Sequence, residues 1–142
     1  MPDKKTFDLE DRLIDFAVRI IRAAESLPKS RAANHIAGQI IRSGTSPAFN
    51  YGEAQSAESQ SDFIHKMKIC LKELRETRVG LLMIVKANLI KPATNLDPLI
   101  DENNQLISIF VTSIRTAKQR NKKTSRFGIR YSVFDIRLFN AV

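Results

Sequence analysis

The sequence predicts an all-α protein of four helices, the second of them kinked, followed by a basic C-terminal tail. Four segments repeat apolar residues at steps of three and four, and caps or prolines punctuate them. Of the 142 residues 43% are apolar, with five Gly and five Pro, which suffices for one domain with a core and argues against disorder.

Asp8 is placed to cap a first helix reaching about Leu27, with Glu10 and Asp11 favouring the positive end of its dipole and Pro28 stopping it. Leu9, Leu13, Phe16, Ala17, Ile20, Ala24 and Leu27 make one core stripe. Ile14, Val18 and Ile21 form a second stripe, beyond what a small bundle needs, and point to a partner surface.

Ser30 opens a second helix whose apolar face begins with Ile36, Ile40 and Ile41 before the stretch RSGTSPAFNYGEA, residues 42–54, interrupts the pattern. Pro47 lacks a backbone donor and clashes with the Ser43 carbonyl, so the expectation is one bent helix over residues 30–57, with Ser43, Thr45 and Ser46 satisfying nearby backbone. Ser59, with Asp62 three positions on, starts a third helix with Ile64, Met67, Leu71, Leu74, Leu81, Val85 and Leu89 inward and Pro92 beyond its end. After KPATNLDPL, a fourth helix is expected from near Asp97, with Pro98 at its first position, to about Gln119. Leu99, Leu106, Phe110 and Ile114 face its core, while Ile107, Ile109 and Val111 would be bared in a free monomer. Surplus apolar surface on two helices predicts an oligomer, irregular packing being the plainer alternative.

Beyond Gln119 the period falls to two, with Ile129, Tyr131 and Val133, then Phe134, Ile136 and Leu138 after a change of parity. Residues 1–118 are therefore read as the bundle and 119–142 as a C-terminal arm, which packs on a neighbour, pairs with another chain as a strand, or stays mobile.

The net charge is +8, of which residues 1–118 supply +3 (17 basic, 14 acidic) and 119–142 supply +5 (six basic, one acidic). Such a surplus favours phosphate-rich or acidic partners. Lys68, Lys72 and Arg75 align on one face of the third helix, and Lys118, Arg120, Lys122, Lys123 and Arg126 add a basic arm beside Phe127, Tyr131 and Phe134. A solvated face offset by Glu73 and Glu76 is the bland alternative for the stripe.

A single Cys, Cys70, precludes an internal disulfide and reads as a small core residue. The N-terminus shows no apolar signal region and no window reads as a membrane span, so the cytoplasm is the simplest address.

LPKS at 27–30, HIAGQIIRSGTSPAFNYGEA at 35–54, SDFIHKMKICLKELRETRVGL at 61–81 and the apolar fourth helix give the chain a family likeness over residues 7–118. It resembles the small four-helix bundles called 23S rRNA intervening-sequence proteins, or S23-like proteins. The resemblance implies an up-and-down antiparallel bundle that assembles as a homo-pentamer with a basic surface contacting RNA. Five copies of this chain would carry about +40, a field that concentrates polyanions. Related bundles are accessory subunits of reverse transcriptases in diversity-generating retroelements, which makes a protein–protein adaptor the alternative reading. The residues matching the family's polar pattern are Arg42, Ser43, Ser46, Asn50 and Glu53 on the second helix and Glu73 and Glu76 on the third.

Candidate chemistry is thin. GTSPA at 44–48 only partly imitates a G-x-S-x-G elbow, with no strand before it and no base and acid around Ser46, and no Lys follows Gly52 as a phosphate-cradling loop requires. There is no Glu-x-x-His pair for a di-iron site; Glu58, Asp62 and His65 share a face, yet Asp62 serves the helix start. The expectation is a non-enzymatic, nucleic-acid-binding or scaffolding homo-oligomer without cofactor or metal.

Overall fold

The computed structural model describes residues 8–127, with side chains as far as Lys123. Four α-helices follow in order: α1 Leu9–Glu25, α2 Arg31–Gln55, α3 Gln60–Lys86 and α4 Asp97–Phe127, the last preceded by a single 3₁₀ turn, Ala93–Leu96. No strand occurs among the described residues. Successive helices pack on one another and α4 returns to α1, so α1 and α3 occupy opposite corners of an antiparallel bundle.

The caps are those the sequence implies. Asp8 accepts a hydrogen bond from the Asp11 amide at 3.2 Å, Ser30 from Ala33 at 3.2 Å and Ser59 from Asp62 at 3.0 Å, each satisfying an amide that the first helical turn leaves without a partner. Leu9, Leu13, Phe16, Ile20 and Ala24 of α1 are buried as expected, while Ile14, Val18 and Ile21 lie open on its outer side.

The interrupted stretch of α2 is helix throughout, with Pro47 inside it. Its small and polar residues are the inner face: Ile40, Ser43, Gly44, Pro47, Tyr51 and Ala54 are all buried, at helical spacing. Smallness lets the neighbours come close. A β-carbon on Gly44 would lie 2.7 Å from Ile20 Cγ2 of α1, and one on Gly80 of α3 would lie 2.5 Å from Ile40 Cγ2 of α2. Tyr51 then meets Phe110 of α4 edge to face, ring centroids 6.1 Å apart.

Three expectations are corrected. Ile64, Met67, Leu74 and Leu81 of α3 are buried as expected and are joined by Phe63, Cys70, Thr77 and Ile84, but Leu71, Val85 and Leu89 are only half-buried, Leu71 because it lines an open groove against α4 and Leu89 because it lies past the helix end. Ile107 and Ile109 of α4 are half-buried against the core rather than bared, and Val111 is half-buried too. Finally, α4 continues past Gln119 to Phe127, since RNKKTSR contains no Pro or Gly and the first breaker is Gly128. The first nine residues of the supposed arm, 119–127, are thus helix; the strand-like pattern at 129–138 lies outside the described residues.

Candidate nucleic-acid interface

Lys68, Lys72 and Arg75 project from α3 into solvent, one above another at steps of four and three. Antiparallel packing sets this stretch beside the C-terminal half of α4. A groove of about 290 Å³ results, floored by Leu71, Val111 and Ile114 and rimmed by Arg75, Arg115 and Lys118. Farther along α4, Lys122 and Lys123 are exposed and Arg120 is half-buried; the Arg126 side chain lies outside the described set. Arg115 is the member that sequence reasoning missed, although its position three residues before Lys118 puts both on one face.

The acidic residues expected to offset this stripe are engaged elsewhere. Arg42 of α2 donates to Glu73 Oε2 at 3.1 Å and through its other terminal nitrogen to Glu76. Burial pushes the Glu73 carboxyl above its ordinary range, the hydrogen bond with Glu76 adding to the shift against the pull of Arg42. The Arg42 hydrogen bond holds Glu76 below that range, with Lys72 contributing at longer reach. Among the described residues Lys68, Lys72, Arg75, Arg115 and Lys118 have no carboxylate partner of their own.

The remaining polar residues singled out in the sequence form a seam between α2 and α3. Ser43 Oγ and Thr77 Oγ1 lie 2.8 Å apart, both buried, and Thr77 also reaches the Glu73 carbonyl at 2.9 Å. Lys66 donates to Glu53 at 2.8 Å. Asn50 stays within α2, donating to the Ser46 carbonyl at 3.0 Å and lying 2.8 Å from its hydroxyl, while Thr45 donates to the Ile41 carbonyl at 2.7 Å. Cys70 Sγ is 3.5 Å from the Pro47 carbonyl, and burial pushes its thiol up to about 12. These hydroxyls and amides are engaged in holding the helices. The described residues contain no cluster of three or more metal-ligating side chains, and no helix among them is long and apolar enough to cross a membrane.

A helical bundle with a polar seam on one side and an open basic groove on another defines a class of protein rather than a reaction. The chain belongs to the 23S rRNA-intervening sequence protein family, whose model matches residues 5–112. Among solved structures it is similar to a protein of unknown function from the S23 ribosomal protein family of Bacteroides thetaiotaomicron VPI-5482. The two are 30% identical with a TM-score of 0.70, over 75% of this chain and 98% of that one. No protein of curated function matches the chain.

Proposed function

We propose that this protein is a non-enzymatic cytoplasmic homo-oligomer, a pentamer, that holds RNA by its phosphates along the α3–α4 basic groove. The observation that carries this reading is the convergence of Arg75, Arg115 and Lys118 on one groove, with Lys68 continuing the basic stripe along α3. Diversion of Glu73 and Glu76 to Arg42 supports it, because Arg42 offsets part of the negative charge nearest the stripe. The +8 charge per chain points the same way, and the family is one named for a 23S rRNA intervening sequence. Contacts of this kind position a backbone without reading bases, so sequence preference is weak and salt dependence steep.

The test is fluorescence anisotropy with a labelled unstructured RNA at about 50 and 200 mM salt, where phosphate contacts are respectively strong and weak. Binding should fall steeply across that range and collapse in an Arg75→Glu, Lys118→Glu double variant. No binding by the wild-type protein at the lower salt overturns the reading and leaves the protein–protein adaptor as the alternative. A tail deletion used to separate the two should begin after Phe127, since one beginning at 119 removes the last turns of α4.

A further inference from the structure

We propose that the outer ridge of α1 in one copy docks into the groove between α2 and α3 of the next, a head-to-tail contact. The inference deepens the homo-oligomer reading and rests on it. Among the described residues the large apolar side chains left exposed are Ile14, Val18, Ile21, Phe49, Val79 and Met83. All but Phe49 fall on two faces. Ile14, Val18 and Ile21, between 37% and 46% exposed, form a ridge on α1. Val79 and Met83, about half exposed, border an apolar groove of about 590 Å³ completed by Ile36, Leu82, Ala87 and Lys86.

Charge at the ends of the two faces identifies the occupant. The α1 ridge continues at helical spacing into Asp11 on one side and Glu25 on the other, whereas the α3 line through Val79 and Met83 ends in Lys72 and Lys86. Laid antiparallel, the two helices share one register. Asp11 falls opposite Lys86, Ile14 opposite Met83, Val18 opposite Val79 and Glu25 opposite Lys72, while Ile21 is level with Glu76, whose carboxylate turns aside to Arg42; the equal rise of two α-helices keeps the pairs level.

Pairing each face with its own copy fails on the same charges. Ridge against ridge, centred on Val18, sets Asp11 against Glu25; groove against groove, centred on Val79, sets Lys72 against Lys86. Juxtaposed like charges disfavour both symmetric dimers, while the mixed pairing satisfies every end. The two faces also lie on opposite corners of the bundle, so each copy accepts a neighbour on one side and offers itself on the other. A contact of that type closes into a ring or continues as a filament and does not stop at a dimer.

The test uses differently tagged Val18→Cys and Val79→Cys chains, expressed together and apart, oxidised and resolved without reductant, with light scattering on the wild type. Coexpression should give a disulfide-linked pair containing both tags, and neither variant alone should link to itself. A Val18→Cys homodimer, or an oligomer of undiminished mass with no mixed product, overturns the proposed contact while leaving the oligomer intact. A monomeric wild type overturns both. As a second reading, Asp11→Lys should raise the dissociation concentration several-fold, and Lys86→Glu in the same chain should restore it. Absence of that rescue counts against the register.

Discussion

Gly44 of α2 and Ile20 of α1 meet so closely that a β-carbon on the glycine would stand 2.7 Å from Ile20 Cγ2 and 2.9 Å from Cγ1. The offended atoms belong to a branched, fully buried side chain that has nowhere to swing. Gly44→Ala should therefore destabilise the fold by about 1–3 kcal/mol, overpacking outweighing the roughly 1 kcal/mol that alanine gains in helix propensity. Urea denaturation measures it. Combining the change with Ile20→Ala should cost less than the two single losses added, since the truncation removes both γ-carbons.

Arg12 of α1 holds Glu102 of α4 through two hydrogen bonds, at 2.8 and 2.6 Å, and also reaches Gln105 at 2.8 Å. Both charged partners are mostly shielded, and few other contacts join α1 to α4. Arg12→Ala should lower stability by about 1–2 kcal/mol, in the range for charged, two-pronged hydrogen bonds at a partly screened site. An unchanged urea midpoint would show the clamp to be idle.

Glu73 and Glu76 predict opposite responses to acid. Glu73, raised by burial, is a liability when ionised: its contribution improves as pH falls through its folded value and worsens as pH rises. Glu76, lowered chiefly by its Arg42 hydrogen bond, contributes stability above the unfolded carboxylate range that is lost on acidification. Glu73→Gln should accordingly be neutral or stabilising at pH 7. Glu76→Gln should destabilise there and match wild type once both states are protonated. Thermal melts of the two variants from pH 7 to 3 separate these slopes.

Cys70 should be inert in the folded protein. Its thiol, buried and pushed up to about 12, holds almost no thiolate at pH 8. A disulfide reagent should count no thiol per chain in buffer and one in denaturant, with the native reaction limited by unfolding.

Arg115 should matter to nucleic-acid retention as much as Arg75, because both rim the same groove. Each alanine variant should weaken RNA binding similarly across unrelated sequences and lower the salt slope by about one. A change confined to one RNA sequence would contradict a phosphate-only contact.

The architecture was largely legible in the sequence because caps and three-and-four periodicity are local, strong signals: Asp8, Ser30 and Ser59 each cap where they were expected to. The α2 inner face was legible only as an interruption, since Ser43, Gly44 and Pro47 do not register as apolar although they are the buried line. Their role depends on how near α1 and α3 come, a long-range fact. The same holds for the interface. Lys68, Lys72 and Arg75 share a face by spacing alone, but the meeting of Arg75 with Arg115 and Lys118 depends on the offset between α3 and α4. Arg42 could be matched to the family pattern, yet nothing local revealed that it draws Glu73 and Glu76 away from the basic stripe. The overrun of α4 is hidden by the change of period after Gln119, although the composition has no breaker before Gly128.

That overrun has a further effect. At 1.5 Å per residue, the 31 residues of α4 span about 46 Å against about 26 Å for the 17 of α1. Arg120, Lys122 and Lys123 consequently ride on a stiff rod rather than a swinging tether, and they lie toward its carbonyl end, where cations offset the helix dipole. A ligand that engages them meets backbone already fixed in place and is spared the ordering entropy, about 1–2 kcal/mol per residue, that a coiled tail would lose on binding.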